Sequence, residues 1–391
     1  MDITRLQRSP IGTLVPIRGV DARTLREFQH FAYLPDPLPT EVALEQGTWR
    51  MVAEASSSLG QLRQVCDQLP NPRLLITPAL AKEAQATSAL EGTYGTLPDV
   101  LEARLPGFEP RTPEIREIRG YEKMASHGFE SVTDREITIG LLCDLQKILA
   151  HASRHPSKDP GQVRKDQVVI GAEDAPVEDS RFVPPPPGDQ LAAGLQAWQQ
   201  WVTTDHDLPI VVRAAMAHYQ FETLHPFNDG NGRVGRLVIL LQLLREGTLE
   251  AASLTISPWF LKRRREYQDA LFDLSCTGEW DPWIRFFCRA LMDQCGQHVE
   301  VAKQLLTWLS GVRHQLVERR WTGLIANLTE KLIEWPIVTN VWVQQEHGVK
   351  APTAQSAIDR LVEIGVLKEL TGRNYRRVYG ATAVMNLVES L

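Results

Sequence analysis

Apolar residues recur at spacings of three and four along most of the chain, while alternating stretches are few and short, which predicts a mainly α protein. Helix limits follow from capping and stop residues. One helix opens at Ile76-Thr77-Pro78, with Thr77 as cap and Pro78 at its first position, and runs to a stop at Gly92. Others are expected over 113–126 behind Thr112, and over 136–150, 190–203, 209–223 and 233–246, the last ended by Gly247. Trp280, Trp283, Phe286 and Phe287 mark a further helix packed on the core. Two short runs, Val168-Val169-Ile170 and Arg181-Phe182-Val183, are separated by turn-forming and acidic residues. They predict a β-hairpin over 168–183, stopped by the prolines at 184–187, which cannot donate to a ladder.

Beyond about residue 301 the pattern changes to a helix, a segment over 339–347, a turn at Gly348, a helix over 353–364 and a strand-rich end. This is the order of a helix-turn-helix followed by a wing, here carrying Lys368, Arg373, Arg376 and Arg377. The expected regions are an N-terminal helical region over 1–111, a core over 112–300 and this winged-helix module over 301–391. Residues 301–391 hold 11 Lys or Arg and 8 Asp or Glu, a net charge of +3, leaving −9 on residues 1–300. That bias is small for a domain gripping several phosphates. Contact of 339–380 with DNA and contact with protein therefore both stay open.

At 391 residues and 43% hydrophobic, the chain can fill two or three cores. Its net charge of −6 gives no general attraction to nucleic acid or anionic membrane. Cys66, Cys143, Cys276, Cys288 and Cys295 are scattered without a CxxC pair, which suggests neither a disulfide framework nor a zinc cluster and fits a reduced cytoplasm. Residues 1–20 contain Arg5, Arg8 and Arg18 and no continuous apolar run, so no secretory signal is expected. The longest apolar run, 237–244, is broken by Gln242 and is far below the roughly 20 residues of a membrane helix. No membrane partner is expected.

The densest chemistry lies in His225-Pro226-Phe227-Asn228-Asp229-Gly230-Asn231-Gly232-Arg233-Val234-Gly235-Arg236. Asp229-Gly230-Asn231-Gly232 is a tight turn entering a helix, whose exposed N–H groups favour an anion; the glycines permit close approach of a phosphate. Arg233 and Arg236, three apart, share one face. Arginine at a helix N-terminus opposes the macrodipole, so without an anion this placement is unfavourable. Asp229 is the natural ligand for Mg²⁺ held also by phosphate oxygens, although an Asp-Gly pair equally forms an Asx turn. His225 could accept a proton from a hydroxyl beside that site, although a lone histidine is more often structural. His218 is assigned to the core, and Phe227 anchors the loop.

The stretch 225–236 resembles the signature of the Fic family, His-Pro-Phe, two residues with an acid second, Gly-Asn-Gly-Arg, two more and Arg, and meets every fixed position. The resemblance extends over about 112–291 and implies a Fic-type helical core with a short β-hairpin flap. By that resemblance the chain binds ATP with Mg²⁺ and transfers AMP to a Tyr, Thr or Ser hydroxyl of a target protein. His225 would deprotonate the hydroxyl and Asp229 would hold Mg²⁺. Gly230 and the Asn231-Gly232 backbone with Arg233 would grip the phosphates, and Arg236 the γ-phosphate. A related phosphotransferase branch carries lysine at Gly232, so Gly232 favours AMP transfer. Thr87-Ser88-Ala89-Leu90-Glu91-Gly92 resembles the inhibitory signature of many Fic proteins, with Glu91 expected to pair with Arg236 in place of the γ-phosphate. The 168–183 hairpin resembles the flap that receives a target backbone, and Tyr267 is a candidate for packing on adenine, where the family more often has a second Tyr at Gln268. Self-modification and a homodimer are compatible with this reading. A different one, a transcription regulator whose core senses nucleotide while the wing binds DNA, shares the same motif.

Overall fold

The computed structural model describes residues 1–391 apart from 22–24, 68–74, 155–157, 173–174, 250–252 and 373–374; the expected wing residue Arg373 lies outside the described residues. In chain order they form α1 (Ile3–Leu6), β1 (Gly12–Val20), β2 (Glu27–Pro35), α2 (Gln46–Asp67), α3 (Ile76–Leu90), α4 (Leu97–Glu102), α5 (Pro113–Ser131), α6 (Ile139–Ala152), α7 (Asp189–Thr203), α8 (Ile210–Leu224), α9 (Asn231–Arg245), α10 (Ser257–Lys262), α11 (Arg264–Thr277), α12 (Trp280–Glu318), α13 (Leu324–Glu334), β3 (Ile337–Thr339), α14 (Asn340–His347), α15 (Ala351–Glu363), β4 (Lys368–Glu369), β5 (Val378–Gly380) and α16 (Thr382–Glu389). Two compact units result, one of Met1–Ser57, Lys123–Gly247 and Phe260–Leu291, the other of Ser58–Glu122, Thr248–Trp259 and Met292–Leu391. Among the described residues no helix is long and apolar enough to cross a membrane.

In the first unit α8 is buried on nearly every side, as an apolar helix without a polar face must be. Its alanines let two indoles approach the backbone: Trp198 Nε1 donates to Ala217 O and Trp283 Nε1 to Ala215 O, both at 2.9 Å. α9 packs along α8, and α7 covers another side.

The N-terminal segment departs from the expected helical region. β1 and β2 pair antiparallel, with Gly12 opposite Pro35 and Val20 opposite Glu27. Pro16 inside β1 weakens its strand signal. Tyr33 of β2 is fully buried, packs on Phe182 at 5.7 Å and donates its hydroxyl to Ser275 O. Its backbone N–H donates to Val183 O at 2.9 Å. This changes the expected 168–183 hairpin. The limb 181–183 bonds to β2 and meets the other limb at Ile170, whose N–H donates to Phe182 O at 2.8 Å and whose carbonyl accepts from Arg181 N (2.8 Å) and Phe182 N (3.1 Å), and a 3₁₀ turn fills Val177–Asp179.

In the second unit α3 starts at Ile76, so Thr77 lies inside the helix and caps nothing, while Gly92 closes the far end at φ 86°. The Glu83 carboxylate, 1% exposed, accepts N–H bonds from Ile256 (2.9 Å) and Ser257 (3.0 Å) and the Ser257 hydroxyl. Further along, Thr339 caps α14, Gly348 turns the chain at φ 61° into α15, and β4 and β5 complete a three-stranded antiparallel sheet in the order β3-β5-β4. Arg376 (φ 51°) and Arg377 line a cleft of about 550 Å³ with Phe108, Asn340, Gln355 and Tyr375. The pattern change near residue 301 does not break the chain, because α12 is continuous through it.

Glu83→Ala should lower stability by about 2–4 kcal/mol, since it strands two buried N–H groups and a hydroxyl. Glu83→Gln, which keeps an acceptor oxygen, should fall between. Urea unfolding midpoints check the order.

Candidate active site

The signature loop joins two helix ends. α8 stops at Leu224 because His225 turns left-handed, at φ 49° and ψ 62°. That conformation is unfavourable for a non-glycine residue by roughly 1–2 kcal/mol. Gly230 is left-handed too, at φ 84°, and a Cβ there would lie 2.8 Å from Leu149 Cδ2, so glycine is required on both counts.

Between them Phe227 and Asn231 close the loop. Asn231 Oδ1 accepts from Phe227 N at 2.8 Å, and Asn231 Nδ2 donates to Phe227 O at 2.7 Å. The Phe227 ring is fully buried against Phe221, the anchoring expected of it. Gln146, on α6, donates to Asp229 O at 3.2 Å and accepts from Gly161 N at 2.6 Å. Arg164, 2% exposed, bonds to His225 O from Nε at 2.8 Å. Sequence reading singled out neither. Arg164 sits in a Pro/Gly loop with no local pattern, and Gln146 shows only as a polar residue on a helix whose other side is apolar.

His225 is partly buried, and its Nδ1 lies 3.2 Å from Glu222 O. A carbonyl only accepts, so Nδ1 carries the proton and the basic lone pair stands on Nε2. Asp229 is half exposed and pairs with Arg233, Oδ2 to Nη2 at 3.1 Å, while the Arg233 side chain is 2% exposed. Asn231 and Gly232 form the first turn of α9 and are buried, as is Arg236. The unfavourable arginines of this helix start are thus buried residues, and Asp229 supplies one of them with an anion. His225, Asp229, Gly230, Asn231, Gly232, Arg233 and Arg236 all come together in this unit.

Tyr267 does not join them. Its hydroxyl bonds to His218 Nε2 at 2.8 Å, its ring stacks on Phe260 at 4.5 Å, and it is 4% exposed. This corrects its expected packing on adenine: the ring's faces are taken by the core. His218, core as expected, also bonds through Nδ1 to Gly235 O. Thr87, Glu91 and Gly92 belong to the second unit, Thr87 buried inside α3, Glu91 exposed at its C-cap and Gly92 just beyond.

Burial, aided by the positive charge of Arg236, pushes the His218 imidazole down to about 3, and burial alone does the same to His298 of the second unit. Both are neutral in the fold but take a proton near pH 6.5 when unfolded. Their stabilisation is complete above that pH and is lost as pH falls toward 3, at about 1.4 kcal/mol per pH unit for each. Urea unfolding between pH 7 and 4 should show this slope, shallower by about one proton in His218→Gln. An unchanged slope would exclude His218 as a source.

Comparison with known proteins gives the same region. Residues 136–243 match the model of the Fic/DOC family, and residues 49–130 that of the Fic/DOC family N-terminal region. The chain is 31% identical over 210 residues to the protein adenylyltransferase Fic of Drosophila ananassae, covering 51% of this chain and 38% of that protein. The Drosophila melanogaster protein of the same name is 30% identical over 207 residues, covering 50% and 37%. The match thus spans less than two-fifths of these curated relatives. A crystal structure of a Fic family protein from Desulfovibrio desulfuricans G20 shares the fold with TM-score 0.55 at 21% identity, covering 88% of this chain and 98% of that one.

Proposed function

Because this chain belongs to the Fic/DOC family, with the domain over 136–243 and the N-terminal region over 49–130, we propose that it is a protein adenylyltransferase. It moves AMP from ATP to a Tyr, Thr or Ser hydroxyl of a protein. The observation that carries the reading is the placement of a basic Nε2 on His225, oriented by Glu222 O, in the same short loop as the N–H groups that open α9.

In this reaction the target oxygen attacks the α-phosphorus and its proton passes to His225 Nε2. The bond from that phosphorus to the bridging oxygen breaks, and pyrophosphate leaves with the electron pair. The start of α9 at Asn231 and Gly232, with Arg233 and Arg236, offsets the phosphate charge in a site already built before the substrate arrives. The half-exposed Asp229 carboxylate fits Mg²⁺, which keeps most of its ligands as water and phosphate oxygens. Bound there, Mg²⁺ would neutralise phosphate charge. Glu91, at the C-cap of α3, restrains the activity in this proposal by taking the place of a phosphate anion.

With α-labelled ATP and Mg²⁺ the chain should label itself or a target protein, and His225→Ala should cut the rate by about 10²–10⁴-fold. Glu91→Gly should raise it. No label should transfer from γ-labelled ATP; protein labelled from that nucleotide would make the enzyme a phosphotransferase instead.

A further inference from the structure

Arg164 is a buried cation whose partners, among the described residues, are all neutral carbonyls. Nε donates to His225 O at 2.8 Å, Nη1 to Asp166 O at 3.2 Å, and Nη2 to Pro185 O at 2.5 Å and Leu224 O at 3.4 Å. Its backbone N–H donates to Pro226 O at 2.9 Å. Burial lowers its pKa only to about 10, so it stays charged near neutrality. The charge is met by the carbonyl end of α8, where Leu224 O lies at the negative pole of the helix. Pro184 and Pro185 are buried, so their carbonyls need donors. Gln167 Nε2 supplies Pro184 O, and Arg164 supplies Pro185 O.

One guanidinium therefore fastens two segments at once: the left-handed turn that aims His225, and the foot of the 168–183 segment beside it. We propose that Arg164 is a positioning residue that couples this flap to the imidazole, so that the segment receiving the target backbone and the base that deprotonates the target hydroxyl keep one register. The inference rests on the adenylyltransferase reading of His225 and on the expected docking of a target backbone at 168–183. Only a planar fork of donors spans these carbonyls; a lysine ammonium keeps the charge but presents its donors from a single point.

The test uses the full chain with Arg164→Lys and Arg164→Gln, Lys serving if Gln fails to fold. Hydrogen exchange without nucleotide should quicken by about tenfold or more in 168–183 and 224–230 together. With Mg²⁺ and ATP, KM for ATP should stay within about twofold while kcat falls about 100-fold, the effect of a small misplacement of a base. Loosening of one segment alone would overturn the coupling. So would a loss of rate that tracks only the unfolded fraction or a rise in KM. If the unaltered chain transfers no AMP, the adenylyltransferase reading fails, and the exchange measurement alone decides whether Arg164 joins the two segments.

Discussion

The chain must reverse between α8 and α9 within residues 225–230, and the residues at either end of that reversal, His225 and Gly230, are both left-handed. This sets the carbonyl end of one helix beside the N–H end of the next. A carbonyl end stabilises protons and cations, and an N–H end stabilises anions. The same short loop then holds an imidazole whose proton-bearing nitrogen leans on Glu222 O and, a few residues on, the N–H end of α9. Gly230 adopts its conformation freely, but His225 does not, and the surrounding bonds must hold it: the Phe227–Asn231 pair from within the loop and Arg164 from outside it.

That reversal also explains the buried charges. Every residue of α9 from Asn231 to Leu243 is buried, Arg233 and Arg236 included. A buried guanidinium requires an anion or a set of carbonyls. Arg233 has Asp229, whose carboxylate remains half in solvent. A partner so exposed is weakly held, because its water competes with the pair. Arg164 has the opposite arrangement, a closed set of backbone acceptors that no ligand would replace, which suits a support and not a binding group.

The sequence made legible whatever depends on neighbours in the chain. Capping by Thr112, the stops at Gly92 and Gly247 and the two helices around the signature are local events, so their limits fall within a few residues of those observed. The clustering of His225 and Asp229 in one loop was readable for the same reason, although the bonds that Arg164 and Gln146 make to their carbonyls from outside the motif were not. Thr77 shows the limit even there: Ser, Thr and Pro mark a helix start without fixing which residue is first.

What the sequence hid depends on partners far along the chain. The strand β2 buries both Ala32 and Tyr33, so its residues do not alternate cleanly, and Pro16 obscures its partner β1. Once that strand pair is present it takes up Val183 O, and the 181–183 limb can no longer spend all its bonds on residues 168–170. The two runs do pair antiparallel at Ile170 and Phe182 as expected, but β2 competes for the outer edge of the second. Tyr267 follows the same logic, because a tyrosine after a charged helix start looks available to a ligand until His218, nearly fifty positions earlier, is found holding its hydroxyl. Backbone competition of this kind leaves no mark on a local pattern. β2 thus helps shape the segment whose foot at Pro185 Arg164 ties to the His225 turn.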